Sequence, residues 1–417
     1  MLSGKNILTA VLLCCGLSAV AWFVTKHTPA KIAVAIDHQR MKNDTFANEV
    51  KRRIIKVASV SANHTRNVIF DNDAAIDDAL ALLLIGNDPS VSLKAITVAG
   101  TGEAHGKAGA ENMSAIIAML GKPDVPVAYG HARPLSSAGK PFPAFLRDTM
   151  DNMLAGKGIN KSRKTHITDN AVALIHQVVE SSNEKVTILA TGPLTNIAEF
   201  FMQYPQLKSK IERIVIMGGA VNVPGNVEGL APEANNKVSE WNFYADPLAV
   251  QKVFNSHVPI TLVALDATNQ VPMNKKFYQS LASAEQPELK LSYELLNMFV
   301  ERIGPDRFYN DVYFWDGLAA MVMLDSTLAE SVKMPLLIDA TNGQVKVAKK
   351  GAPHAADVDV ITRINNPEAA LLNYVAMVKS NHIYAQRQFH HINRVTANLG
   401  RSSNQYAGVK FARVSGE

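Results

Sequence analysis

The chain has 417 residues, 47% hydrophobic and 19% charged, an ordinary globular composition that excludes a wholly disordered chain. Its formal charge of +5 is carried by the ends: residues 26–66 hold nine Lys/Arg against three Asp/Glu, and residues 386–417 hold five against Glu417. Residues 67–385 are left with an excess of carboxylates, which argues against nucleic-acid binding by the body and leaves the basic stem as the part suited to anionic lipid.

At the N-terminus, Ile7 to Thr25 is uncharged and mostly apolar, nineteen residues that can span a bilayer. Ala19-Val20-Ala21 within it also fits a small-residue cleavage site. Residues 1–26 are therefore expected to be a signal peptide or a membrane anchor, with the body exported or tethered. Both cysteines, Cys14 and Cys15, lie inside this segment, so the body has no thiol and no dependence on redox compartment. Residues 27–63 read as a basic stem, helical around Phe46 to Ala58, and residues 386–417 as a basic tail without periodicity.

Between them, residues 64–385 alternate strand-like and helix-like runs: "RNVIFD", "DDALALLLIG", "LKAITVAG", "AGAENMSAIIAMLG", then "KVTILATG", "LTNIAEFFMQY", "RIVIMGG", "DPLAVQKVF" and "PITLVALD". Near-continuous apolar strands separated by helices predict an α/β fold, a doubly wound, mostly parallel sheet covered on both faces, in a single catalytic domain. Asn342-Gly343 in "LLIDATNGQVKVAKKG" predicts an antiparallel hairpin late in the chain, and "PEAALLNYVAMVKS" a last core helix.

Ligands of open parallel sheets collect beyond the carboxyl ends of the strands. Asp71 and Asp73 follow the first strand, Thr101 the second, Thr191 "VTILA", Met217 "RIVI" and Asp266 "TLVAL". Asp77 and Asp78 fall in a first helical turn, where the macrodipole is expected to keep them ionised. Four aspartates in eight positions repel one another unless a cation sits among them, and an oxygen-rich site suits a hard ion, calcium or magnesium. A helix cap needs one aspartate and leaves three unexplained. The segment is no EF-hand, since Ala75 and Leu82 stand where that loop needs an oxygen ligand and a glutamate. Nor is "GTGEAHG" a dinucleotide fingerprint, because His105 stands in place of the third glycine; His105 reads as a loop histidine.

With these residues in view, the chain resembles the inosine-uridine preferring nucleoside hydrolases. "DNDAAIDDALAL" is similar to that family's D-x-D-P-G-x-D-D-A signature, and "ATGPLTNIA", "IVIMGGA", "PGNV", "SEWNFYADPLA" and "FWDGLAA" follow in family order. The resemblance implies Ca2+ bound by Asp73, Asp78, the Thr191 carbonyl and Asp316, with Asp73 as the base for a water that the ion holds against the anomeric carbon. Asp77 and Asn242 would hold ribose hydroxyls, with Asp316 shared between ion and sugar. Asn226 and Glu240 would hold the 5′-hydroxyl, and Met217 would pack near the sugar. The implied reaction is hydrolysis of ribonucleosides to ribose and free base, on a small-molecule substrate, by a homo-oligomer, dimer or tetramer.

Departures from the pattern are informative. Ala74-Ala75 replaces Pro-Gly, so either Ala75 is strained at positive φ or the loop differs. Thr101 stands at the position of a family Asn that contacts the sugar or water. Trp315 stands where many members have a His for the leaving base, so it either stacks on the base or another acid is used. About eight residues are added between Asn226 and Glu240, bordering the base pocket. Two other readings compete: a haloacid dehalogenase-type phosphatase, which also opens on Asp-x-Asp but wants Thr or Val next, and a nucleoside-binding protein without turnover.

Overall fold

The structure, a computed structural model, describes residues 65–159, 166–383 and 385. The expected anchor, stem helix and basic tail lie outside the described residues. Among the described residues, no helix is long and apolar enough to cross a membrane.

Ten strands form one sheet: β1 (Arg66–Asn72), β2 (Val91–Val98), β3 (Val127–Tyr129), β4 (Ile167–Thr168), β5 (Val186–Ala190), β6 (Ile211–Met217), β7 (Ile260–Val263), β8 (Ala329–Ile338), β9 (Val345–Val347) and β10 (Ala356–Ile364). Their order is β4-β3-β2-β1-β5-β6-β7-β10-β8-β9. The chain winds outward from β1 in one direction through β2 to β4, then returns to β1's other side as β5 and winds the opposite way. β1 is thus hydrogen-bonded in parallel to both β2 and β5, and the order reverses at this point. A crevice opens at such a reversal, beyond the carboxyl ends of the strands.

β1 shows why the sheet is covered twice. Val68 and Phe70 point into one hydrophobic core and Ile69 into the other, all three with no exposed surface. The period-two alternation of a strand places apolar groups on both faces. A fully buried side chain of this size stabilises the fold by about 1.5–3 kcal/mol relative to exposure. The helix that follows, Ile76–Ile85, is buried at every residue but Asp77. It packs against the helix Trp315–Leu324, and the final helix, residues 367–383, is pinned to it by Tyr374 Oη donating to the Leu80 carbonyl (3.0 Å) and Asn381 Nδ2 to the Leu84 carbonyl (3.0 Å).

The expected late hairpin is present. β8 and β9 pair antiparallel, with Ile338 opposite Val345, and β8 also pairs antiparallel with β10. The connection is wider than the two-residue turn that Asn342-Gly343 suggests: it runs from Asp339 to Gln344, whose backbones are bonded at 3.0 Å, with Gly343 at φ 79°. Asp339 accounts for the difference, because its side chain accepts from Thr341 N and Oγ1 and builds a local turn of its own.

Candidate active site

The turn between β1 and the helix Ile76–Ile85 carries the crowded aspartates, and Asn72 shapes it. Asn72 Oδ1 accepts from Ala74 N at 3.0 Å while its Nδ2 donates to the Thr97 carbonyl at 3.1 Å, tying the turn to β2. Of the two alternatives, strain at Ala75 or a different loop, the structure takes the second: the positive φ falls on Ala74, at 61°, and Ala75 is extended, at φ −79° and ψ 179°. A proline ring locks φ near −65°, so a Pro at position 74 could not adopt this turn. The loop itself differs from the Pro-Gly form.

Two helix starts then converge on one point. Asp77 and Asp78 lie in the first turn of Ile76–Ile85, and Asp316 in the first turn of Trp315–Leu324. Carboxyl oxygens of Asp77, Asp78 and Asp316 all lie within 4.8 Å of one another. Asp78 accepts from Ala75 N at 2.8 Å and from Thr191 Oγ1 at 2.5 Å, and is close enough to Asp73 and Asp316 to share a proton with either. Asp73 is itself buried and accepts from Glu103 N at 3.0 Å. Two glycines let backbone press against it: a Cβ at Gly102 would come 2.0 Å from Asp73 Cβ, and one at Gly192 2.8 Å from it.

Burial governs the charge state of this group. It pushes Asp77 and Asp78 from the ordinary 3.8 up to about 7, with Asp73 adding to the rise at Asp77 and Asp77 to that at Asp78. Burial, then Asp78, raises Asp73 well above the carboxylate range; burial, then Asp77, Asp78 and Asp73, does the same to Asp316. Asp71, whose Oδ1 accepts from Thr97 Oγ1 (2.5 Å) and Asn196 Nδ2 (2.8 Å) and whose Oδ2 has no partner, is also raised by burial to about 7. The expectation that the helix dipole alone keeps Asp77 and Asp78 ionised is therefore corrected. Desolvation and mutual repulsion outweigh it, and none of the described lysines, arginines or histidines forms an ion pair with Asp73, Asp77, Asp78 or Asp316. Four grouped carboxylates, three buried and Asp77 partly so, with no ion pair from the described cationic side chains and all of them hard oxygen donors, fit a divalent cation such as calcium.

The remaining residues are placed as follows. Asn242 Nδ2 donates to the carbonyls of Thr191 (3.1 Å) and Met217 (3.4 Å), so it bridges the ends of β5 and β6. Glu240 caps the helix Trp241–Ala245: Oε1 accepts from Asn242 N at 2.9 Å, and Oε2 from Gly219 N at 2.9 Å and Phe243 N at 3.2 Å. Even so, burial lifts it to about 6. Asn226 Oδ1 accepts from Trp241 N at 3.1 Å. Asp73, Asp77, Thr191, Met217, Asn226, Glu240, Asn242, Trp315 and Asp316 all line one cavity of about 740 Å³. Thr101 does not: it is buried with its hydroxyl 2.9 Å from Thr195 Oγ1, which in turn donates to Asp246 at 2.8 Å. Asp266 is engaged by Val221 N and Asn222 N, both at 2.8 Å, and closes the loop after β6. His105 lies outside the cavity, exposed, with Nδ1 2.7 Å from Asp151.

The cavity also contains residues that sequence reasoning passed over. Glu103 lines it beside Asp73 and Asp77; burial and then those two charges raise its carboxyl. Its only signal in the sequence is a carboxylate five residues past the end of β2. The outer wall is aromatic and apolar: Phe142, stacked on Trp241 at 4.8 Å, Phe145, Leu146, Phe299, Tyr313 and Trp315. The indole N–H of Trp315 is buried without a partner, and no histidine is among the described residues that line the cavity.

The chain as a whole is similar to known proteins. The sequence profile of the inosine-uridine preferring nucleoside hydrolases matches residues 68–370. The chain belongs to this family. Among its relatives, the pyrimidine-specific ribonucleoside hydrolase RihA of Citrobacter koseri is 34% identical over 241 residues, 56% of this chain and 71% of that protein. RihA of Shewanella sp. strain ANA-3 is 34% identical over 238 residues, 57% of this chain and 70% of that protein. The crystal structure of the inosine-uridine preferring nucleoside hydrolase of Bacillus anthracis superimposes with a TM-score of 0.66 at 25% identity, over 76% of this chain and all of that one. The purine-preferring ribonucleoside hydrolase of Gardnerella vaginalis, at 24% identity and a TM-score of 0.63, shares the fold over 76% of this chain and all of that one. The doubly wound sheet of this nucleoside hydrolase is thus the family's own.

Proposed function

We propose that this nucleoside hydrolase cleaves the N-glycosidic bond of ribonucleosides, releasing ribose and free base, in a calcium-dependent reaction. The observation that carries the reading is the floor of the cavity, where carboxylates from a strand end and two helix starts meet and none of the described cationic side chains forms an ion pair with them. Asp73, Asp78, Asp316 and the Thr191 carbonyl would hold the ion, with Asp77 in the same group of oxygens. When bound, the ion lowers the pKa of a water and polarises it for attack.

Asp73 is the base in this reading. Glu103 N–H fixes one of its oxygens and close packing against Gly102 and Gly192 fixes its position, so the carboxyl is preorganised to take a proton from the attacking water. Asp77 and Asn242 hold ribose hydroxyls; the Asn242 amide is oriented by two carbonyl acceptors, which leaves its oxygen for the sugar. Asn226 gives its oxygen to Trp241 N and retains its NH2 for the 5′-hydroxyl, beside Glu240. Met217 packs on the sugar and Trp315 stacks on the base. Charge that develops on the ribose in an oxocarbenium-like transition state is stabilised by the acidic floor.

Relatives named for pyrimidines and a fold neighbour named for purines leave the base unassigned. Residues 1–26 are proposed as the anchor or signal, 27–63 as the stem, and the active form as a homo-oligomer. A panel of purine and pyrimidine nucleosides, assayed for reducing sugar with and without chelator, tests the reading; no sugar released from any of them in calcium overturns it. That no described residue lining the cavity is a histidine favours one second reading, a nucleoside-binding protein, which calorimetric binding without turnover selects.

A further inference from the structure

Residues 99–105, of which Glu103 lines the cavity, follow a fixed path. Gly102 N donates to the Ala99 carbonyl and Ala104 N to that of Asp73, each at 3.0 Å. Buried Arg147 reaches the carbonyls of Gly100 (2.9 Å) and Ala104 (3.1 Å) through Nη2, and Asp151 accepts from His105 N at 2.8 Å. On this path Thr101 commits its hydroxyl to Thr195, away from the cavity, and Glu103 is the member that faces it. The Glu103 carboxyl lies beside Asp73 and Asp77, outside the group formed by Asp77, Asp78 and Asp316, and accepts no hydrogen bond from the described residues.

A half-buried carboxyl that faces two others and has no donor is unfavourable for the fold by itself. Its position becomes favourable once a hydroxyl donor occupies the cavity. We propose that Glu103 is a substrate-contacting residue that accepts a hydrogen bond from the 2′- or 3′-hydroxyl of the sugar, on the Asp77 side of the ring. The proposal rests on the nucleoside hydrolase reading above and adds a carboxylate to the residues assigned there. The clamped loop suits the task, because a group that must meet one hydroxyl has to be held to within about 0.5 Å.

Glu103→Gln keeps the shape and removes the charge; Glu103→Ala removes the acceptor. The full chain in calcium is assayed for kcat and KM on a ribonucleoside and on its 2′-deoxy, 3′-deoxy and 5′-deoxy analogues. Both variants lower kcat/KM on the ribonucleoside and on the 5′-deoxy analogue by about 10- to 100-fold, the range for a hydrogen bond to a charged group. On one of the 2′- and 3′-deoxy analogues, which lacks the bonded hydroxyl, the loss shrinks to less than about twofold. Equal losses on all four substrates, or none on any, overturn the proposal. Should the wild type turn over no nucleoside, the wider reading fails, and Glu103 is judged by calorimetric binding of the same four compounds. The same pattern in Kd supports the contact, whereas uniform weakening, or no binding, overturns it.

Discussion

The floor of the cavity and its outer wall are built in opposite ways. Asp73, Asp78, Thr191 and Asp316 are buried and sit at strand ends or in first helical turns, and backbone or short side-chain hydrogen bonds hold Asp73, Asp78 and Thr191. The wall comes from the short helices Ala144–Asp151 and Pro305–Asp311, the end of the helix Pro287–Ile303 and the loop after Asn226. Its charged members pair in solvent, Lys237 with Glu228 at 3.5 Å and Arg307 with Asp311 at 3.1 Å, and exposed pairs of this kind contribute about 0–1 kcal/mol each. A change on the floor therefore disturbs positions that the whole sheet determines, while a change in the wall alters what the cavity accepts. Chemistry belongs to the first region and substrate preference to the second.

The sharpest way to break that division is Asp73→Asn. The amide keeps the shape but cannot take a proton, so the release of reducing sugar is expected to fall about 10²- to 10⁴-fold in a protein that still folds. Near-full activity would remove Asp73 from its role as base. Removing the ion is the next largest test. Asp71, Asp77 and Asp78 are raised to about 7 by burial, so the ion-free folded state retains protons that the unfolded chain has lost above pH about 4. Ion-free stability is therefore greatest at low pH and is lost as pH rises through about 7. With chelator, the melting midpoint should be lower at about pH 8 than at about pH 5.5; calcium, which binds ionised carboxylates, should raise it more at the higher pH. Ion-free midpoints that rise with pH would contradict the uncompensated floor.

The same division decides what was legible in the sequence. The floor was legible in part from position, since strand ends in a parallel sheet converge, Asp73 and Thr191 follow such ends, and Asp78 lies in the helical turn after Asp73; Asp316 joined them only through the resemblance of "FWDGLAA" to the family motif. Asn72 and Arg147 were not legible: each acts by hydrogen-bonding backbone carbonyls, Thr97 for one and Gly100 and Ala104 for the other, and such partners leave no pattern in residue type. Glu240 was readable as a pocket residue, but the three backbone N–H groups it accepts appear only once the chain has folded around it. Thr101 follows a strand end as Asp73 does, yet Thr195 and Asp246 draw its hydroxyl inward. The wall was least legible, since Phe142, Phe145 and Leu146 belong to no motif and reach the cavity only through tertiary packing.

Trp315 joins the two regions, one residue before Asp316 and 6.0 Å from the Tyr313 ring. If it serves the wall by stacking on the base, Trp315→His supplies an acid at the leaving group and purine turnover should rise, by up to about 10-fold, at the low end of general acid catalysis. An unchanged rate on every substrate of the panel would show that this position does not limit departure of the base.

The smallest effect probes the turn that starts the floor. Ala74 is fully buried at φ 61°, and Ala75 beside it is buried but extended. A left-handed backbone costs an L-residue about 1–2 kcal/mol, and a buried methyl group contributes about 0.8 kcal/mol. At position 74 the lost methyl and glycine's own backbone entropy cost of about 0.5–1 kcal/mol oppose the relieved strain, so Ala74→Gly should stay within about 1 kcal/mol of the wild type. At position 75 there is no strain to relieve. Ala75→Gly loses the methyl and adds about 0.5–1 kcal/mol of backbone entropy cost, for a net destabilisation of about 1–2 kcal/mol. Urea midpoints at constant slope separate the two variants. The opposite order, with glycine favoured at 75, would place the left-handed residue where the family signature has its glycine and would show that this chain keeps the family's turn after all.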